Sequence, residues 1–127
     1  MMRLGNYWTK VDDVVYLGCA PMEIFNHPTE LNKLGVEGVV NMCYEYPGPV
    51  ASYDKLGMKQ LRMEVVDHEE PSVEQLKLAV SFISSYKQKG RKVYVHCKAG
   101  HGRGAAVALA WLIHENPETS PKVQVCL

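Results

Sequence analysis

Residues 93–103, Val-Tyr-Val-His-Cys-Lys-Ala-Gly-His-Gly-Arg, leave the chain few choices of local structure. The β-branched and aromatic run favours a strand. Gly100 and Gly102 let the next segment turn its amides inward, and an apolar stretch from Gly104 to His114 reads as a helix. Strand, cysteine, glycine-bearing loop, arginine and helix, in that order, bring the N–H groups of Lys98, Ala99, Gly100, His101 and Gly102 together around Cys97, at the positive end of a helix. A phosphate fits that cradle. Its field favours the thiolate form of Cys97, and the planar fork of Arg103 is suited to grip two phosphate oxygens. The expected chemistry is nucleophilic attack by Cys97 on a phosphate ester. The plainer alternative is a buried strand-end cysteine beside a helix cap.

The rest of the sequence gives that cradle a setting. Tyr7 to Lys10 and Val14 to Leu17 suggest a hairpin that opens the sheet, and Gly18 to Pro21 breaks it. Pro21 to Leu34 is expected to be helical, although Pro28 lies inside it. Val36 to Met42 reads as a buried strand, Pro47 to Gly57 as a loop with one helical turn, and Leu61 to Val66 as a further strand. Ser72 caps a helix whose stripe of Val73, Leu76, Val80 and Ile83 runs on to Gly90. Lys92 to His96 feeds the loop. Strands alternating with helices predict an α/β fold, a mainly parallel sheet with helices on both faces, in which ligands bind at the carboxyl ends of strands. With 127 residues, a single domain over 1–127 is expected.

His96-Cys97-x-x-Gly100-x-x-Arg103 resembles the signature of the protein tyrosine phosphatase superfamily, in its small dual-specificity branch. Phosphoryl transfer to cysteine needs a general acid held over the loop from another strand end. The resemblance assigns that role to Asp67, after Leu61 to Val66. Glu69 and Glu70 are rival acids, and a solvated acidic turn leading to the Ser72 cap is the plainer reading. His96 is expected to order the loop through the backbone, pointing away from the phosphate by strand alternation. Lys98 and His101 either bring positive charge to the rim or are ordinary solvated loop residues. A Lys-Ala-Gly-basic-x-Arg loop is similar to those of phosphatases acting on phosphoinositides and phosphatidylglycerophosphate. Tyr16 to Pro21, Leu34 to Val40 and Glu45-Tyr46 resemble the mitochondrial-type lipid phosphatases and their plant relatives, from near residue 7 to residue 115.

Three departures stand out. The subgroup has Asn where Cys43 stands and Glu where Pro47 stands. Its usual Ser or Thr after the arginine is Gly104, which removes a hydroxyl expected to help the second half of the cycle. The branch continues for one or two helices beyond Pro117 to Leu127, so a form truncated after about residue 116 is expected, with the Val107, Ala110, Trp111 and His114 face of the last helix short of cover.

Acidic and basic residues balance at 14 each, so no global field points to nucleic acid or an anionic membrane. The expected partner is a phosphorylated lipid or a phosphoprotein, a lipid implying peripheral membrane contact. A weakly active phosphate-binding module is the alternative from outside the enzyme class. No metal, cofactor or oligomer is called for. The four cysteines, Cys19, Cys43, Cys97 and Cys126, lack metal-type spacing. An intracellular, reducing compartment is expected, cytoplasmic by default and mitochondrial by resemblance, although no transit peptide is visible. If the strands ending near Cys43 and Cys97 are neighbours, Cys43 is placed to capture a sulfenic acid on Cys97; otherwise it is simply core.

Overall fold

Val93, Tyr94, Val95 and His96 are all buried, which puts their strand at the centre of a sheet covered on both faces. The computed structural model describes residues 7–98 and 102–118. Along the chain run β1 (Trp8–Lys10), β2 (Val15–Gly18), a 3-10 turn (Glu23–Phe25), α1 (His27–Lys33), β3 (Val36–Asn41), α2 (Val50–Leu56), β4 (Lys59–Arg62), α3 (Val73–Gln88), β5 (Lys92–His96) and α4 (Gly102–Glu115). The sheet order is β1-β2-β5-β3-β4. β2, β5, β3 and β4 are parallel, and β1 closes one edge as an antiparallel hairpin with β2. Both edge strands are short and largely polar, which discourages pairing with another chain.

Each face has its own core. On one side α3 and α4 pack Ile83, Val107 and Trp111 against Val15, Val40 and Val95. On the other, α1 and α2 deliver Leu31 and Tyr53 to Val36, Val39 and Tyr94. The capping box at Ser72 forms as the sequence predicts: Ser72 Oγ accepts from the Gln75 amide at 3.1 Å, and Gln75 Oε1 accepts from the Ser72 amide at 2.9 Å. Gly18 is required by close approach, because a Cβ there would collide with the Tyr7 carbonyl and the Tyr94 hydroxyl.

Four expectations need correction. Helix does not span Pro21 to Leu34. Asn26, at φ 60°, separates the 3-10 turn from α1, and Pro28 takes the first turn of α1, where its missing N–H costs nothing. Pro47 to Gly57 holds the two-turn α2, because burial of Tyr53 rewards the ordering. The fourth strand is Lys59–Arg62 rather than Leu61 to Val66, since β3 ends at Asn41, the partner of Arg62. The last helix starts at Gly102, two residues early, and Val107 and Trp111 are fully covered. What remains open on that helix is the side bearing Ala110, Ile113 and His114, which with α3 walls a groove of about 620 Å³.

Asp12 ties the first hairpin to the last helix. Its Oδ1 accepts from the Val14 and Val15 amides, both at 2.8 Å, and its Oδ2 accepts from Trp111 Nε1 at 2.7 Å. Asp12→Ala leaves the indole N–H without its acceptor and is expected to cost about 2–3 kcal/mol. The measurement is the urea midpoint at unchanged slope, with Asp13→Ala, a fully exposed neighbour, expected to stay within about 0.5 kcal/mol of wild type.

Candidate active site

Parallel pairing aligns the carboxyl ends of β2, β5 and β3: Gly18, His96 and Asn41 lie in one register row. Cys97 follows directly and is 1 % exposed. Lys98 is exposed, and its carbonyl accepts from the Ala20 amide at 3.2 Å, tethering the loop to the chain leaving β2. Ala99, Gly100 and His101 lie outside the described residues; Gly102 opens α4 and Arg103 follows in its first turn.

His96 is fully buried. Its Nδ1–H donates to the Cys97 carbonyl at 2.8 Å and its ring stacks on Tyr94. Burial pushes its pKa down to about 4, so the ring is neutral and holds the backbone rather than supplying charge. Gly104 brings α4 close to β5: a Cβ there would lie 3.0 Å from Leu17 Cδ1 and 3.5 Å from the Cys97 amide nitrogen.

Arg103 is 4 % exposed, and a guanidinium so buried requires anionic or carbonyl partners. Nη1 donates to Glu45 Oε1 at 2.8 Å and to the Val65 carbonyl at 2.7 Å, while Nη2 donates to Glu45 Oε2 at 2.9 Å. Glu45 therefore takes the end of the fork. The edge formed by Nε–H and the second Nη2–H lies away from it and has the spacing to hold two oxygens of a phosphate. The hydrogen bonds from Arg103 draw the Glu45 carboxyl down to about 2 and raise Arg103 in turn.

Asp67 stands near that edge, its Oδ1 3.6 Å from Arg103 Nη2. It is carried not by a strand end but by a tight turn in which the Glu69 amide donates to the Val66 carbonyl and His68 adopts φ 69°, a conformation a non-glycine residue seldom takes. Its side chain is 60 % exposed, with Oδ1 accepting from the His68 amide. Asp67, Glu69, Glu70, Gly102 and Arg103 line one cleft of about 710 Å³, so all three candidate acids border the same space.

Cys43 lies just past β3, and β3 is indeed the neighbour of β5. The Met42 amide donates to the His96 carbonyl, so Met42 stands nearest Cys97 in register, with Cys43 one step beyond. Cys43 is fully buried in the same core cluster as Cys97, and burial pushes its thiol up to about 12.

Glu45 is the partner that residue-by-residue reading missed: it entered only through resemblance, with no role. The signal was present, since a buried arginine beside a strand end requires a carboxylate from a neighbouring strand end, and Glu45 lies four residues past β3.

The sequence matches the family described as dual specificity phosphatase, catalytic domain, over residues 15–124. The chain belongs to that family, a family of cysteine-dependent phosphatases. It is 35 % identical over 116 residues to phosphatidylglycerophosphate phosphatase PTPMT2 of Arabidopsis thaliana, covering 89 % of this chain and 50 % of the relative. Identity to phosphatidylglycerophosphatase and protein-tyrosine phosphatase 1 of Homo sapiens is 32 % over 114 residues, covering 85 % and 56 %. The crystal structure of PTPMT1 in complex with PI(5)P superposes with a TM-score of 0.84 at 31 % identity, over 94 % of this chain and 80 % of that one. The chain thus spans about half the length of the curated relatives it matches.

Acid should loosen this site in two stages. His96 is held neutral, its pKa lowered from 6.5 to about 4, so its contribution is complete above 6.5 and shrinks as pH falls to about 4. Glu45, lowered from 4.5 to about 2, contributes fully above 4.5 and loses that contribution as pH falls towards 2. Melting temperatures against pH are expected to fall through both windows, with Glu45→Gln removing part of the lower slope. An unaltered lower slope would mean that the pair adds no stability.

Proposed function

We propose that this chain hydrolyses phosphomonoesters through a phosphocysteine on Cys97, and that its substrate is the phosphate of a phospholipid headgroup. The observation that carries the reading is Arg103, buried beside the carboxyl end of β5 with Glu45 on one edge of its fork and the other edge left to a phosphate facing Asp67. In this scheme the Cys97 thiolate attacks phosphorus and the ester P–O bond breaks. The leaving oxygen takes its proton from Asp67. The Asp67 carboxylate then accepts a proton from water as that water attacks phosphorus, and the S–P bond breaks to return the thiolate. The equatorial oxygens are held throughout by the Nε–H and Nη2–H edge of Arg103, together with the loop amides that the sequence pattern leads one to expect. Lipid substrates are supported by the relatives named phosphatidylglycerophosphate phosphatases and by the neighbour complexed with PI(5)P. A phosphoprotein substrate draws on the protein-tyrosine phosphatase half of the human relative's name.

A small aryl phosphate, followed by a panel of lipid and peptide phosphates, tests both levels. Cys97→Ser and Arg103→Lys are each expected to abolish turnover, the first for want of a thiolate and the second for want of a bidentate fork. Phosphate binding should survive only in the serine variant. Substantial turnover by Cys97→Ser would end the mechanism, and efficient hydrolysis of phosphopeptides alone would end the lipid assignment. Asp67→Asn should slow esters with basic leaving groups by roughly 10²–10⁴-fold and spare activated aryl esters. Greater loss in Glu69→Gln or Glu70→Gln would transfer the role to those residues.

Gly104 bears on the second half of the cycle. Without a hydroxyl to donate to the departing thiolate, breakdown of the phosphocysteine should lag its formation by about 10²-fold, the scale of one preorganised donor. A burst of leaving group followed by slow turnover is expected in stopped flow. Gly104→Ser should shorten the intermediate's lifetime once the rotatable Leu17 methyl, 3.0 Å from the added Cβ, moves aside. Absence of a burst would place the limiting step at Cys97 attack.

A further inference from the structure

The loop that carries Glu45 is held from beneath by side chains of two strand ends. Arg62 Nε donates to the Cys43 carbonyl at 3.3 Å and Arg62 Nη2 to the Tyr44 carbonyl at 2.7 Å. Asn41 Nδ2 donates to the Tyr46 carbonyl at 2.8 Å, and Gln60 Nε2 to the Pro47 carbonyl at 2.9 Å. Asn41 Oδ1 also accepts from the Cys43 amide at 2.8 Å. The carbonyls on both sides of Glu45 are thus occupied, and Asn41 and Arg62 share one register row of β3 and β4. The Val65 carbonyl joins the two systems: it accepts from the Tyr44 amide at 3.1 Å and from Arg103 Nη1 at 2.7 Å.

We propose that Arg62 is a positioning residue for the phosphate-binding arginine: by bridging the Cys43 and Tyr44 carbonyls it sets the Glu45 carboxylate, which in turn aims Arg103. The proposal rests on the reading of Arg103 as the phosphate ligand. Arg62 is suited to this because a planar guanidinium spans two successive carbonyls, whereas an ammonium holds one. The geometry gives a reason for a long cationic side chain there beyond its looser contact with Glu64, at 3.4 Å. Asn41 is fully buried and serves the same loop, but its loss would also disturb the strand end. Arg62 is partly exposed and can be replaced with less damage to the core.

The test has one arm that needs no catalysis and one that does. In the first, carbon-13 NMR follows the Glu45 carboxyl through a pH titration of wild type and Arg62→Gln. The wild-type group should titrate near 2; in Arg62→Gln its midpoint should move towards the ordinary carboxylate range, because the fork to Arg103 loosens. In the second, vanadate inhibition of aryl phosphate hydrolysis is compared for Arg62→Gln, Glu45→Gln and the double variant. Each single change should weaken vanadate by about tenfold, the scale of one charge-assisted hydrogen bond. The double variant should be no weaker than Glu45→Gln, since both act through one contact. Should Arg62→Gln fail to fold, Arg62→Lys takes its place with a smaller shift in the same direction. A Glu45 titration unmoved by either Arg62 variant, or vanadate effects that multiply, overturns the proposal. A wild type without aryl phosphatase activity would instead overturn the phosphatase reading, with the Glu45 titration still deciding this one.

Discussion

A single buried cation organises the functional end of this protein. Arg103 sits in the first turn of α4 with 3 % of its side chain exposed, and a charge so far removed from water is tolerated only with close, well-aligned partners. Meeting that requirement brings Glu45 in from the loop after β3, the Val65 carbonyl from the segment after β4, and Asp67 from the turn beyond it. The segments around the cleft are therefore linked through one guanidinium, which among the described residues donates three hydrogen bonds to Glu45 and the Val65 carbonyl.

The sheet supplies the rigid frame for that arrangement. Because β2, β5 and β3 run parallel and in register, their carboxyl ends present Cys19, Cys97 and Met42 at one level, and whatever leaves those strands must pass over the same spot. Burial on both faces gives β5 no freedom to shift. The neutral His96, stacked on Tyr94 and hydrogen-bonded to the Cys97 carbonyl, carries that rigidity one residue past the strand. Polar loops that hold function are thus anchored by apolar strands. The Glu45 loop shows the same division of labour, with its carbonyls held by Asn41, Gln60 and Arg62 from the strand ends below.

Much of this was legible in the sequence, and the parts that were not share a cause. β5, α3 with its capping box, and the opening hairpin were readable because periodicity and caps are local properties. The errors fell where tertiary contact overrode a local signal. α2 forms across a proline- and glycine-rich stretch because Tyr53 finds a core, and β4 stops at Arg62 because its partner strand stops. Pro28 starts a helix rather than interrupting one, a distinction that depends on where the preceding turn ends.

At the site, the order of residues around Cys97 by itself determined the class of chemistry expected, since a strand, a nucleophile, glycines and an arginine at fixed offsets constrain one another through a few bonds of backbone. Family membership is shown by a match that extends over residues 15–124. Only the tertiary structure decided that Glu45 takes the end of the arginine fork, that Asp67 faces the remaining edge from a strained turn rather than a strand end, and that Gly104 lies against Leu17 and the Cys97 backbone. Arg103 and Glu45 are 58 positions apart in the chain, and Gly104 and Leu17 are farther apart still. These relations come from the packing of parallel strand ends and the need to satisfy a buried charge, neither of which leaves a periodic trace along the chain.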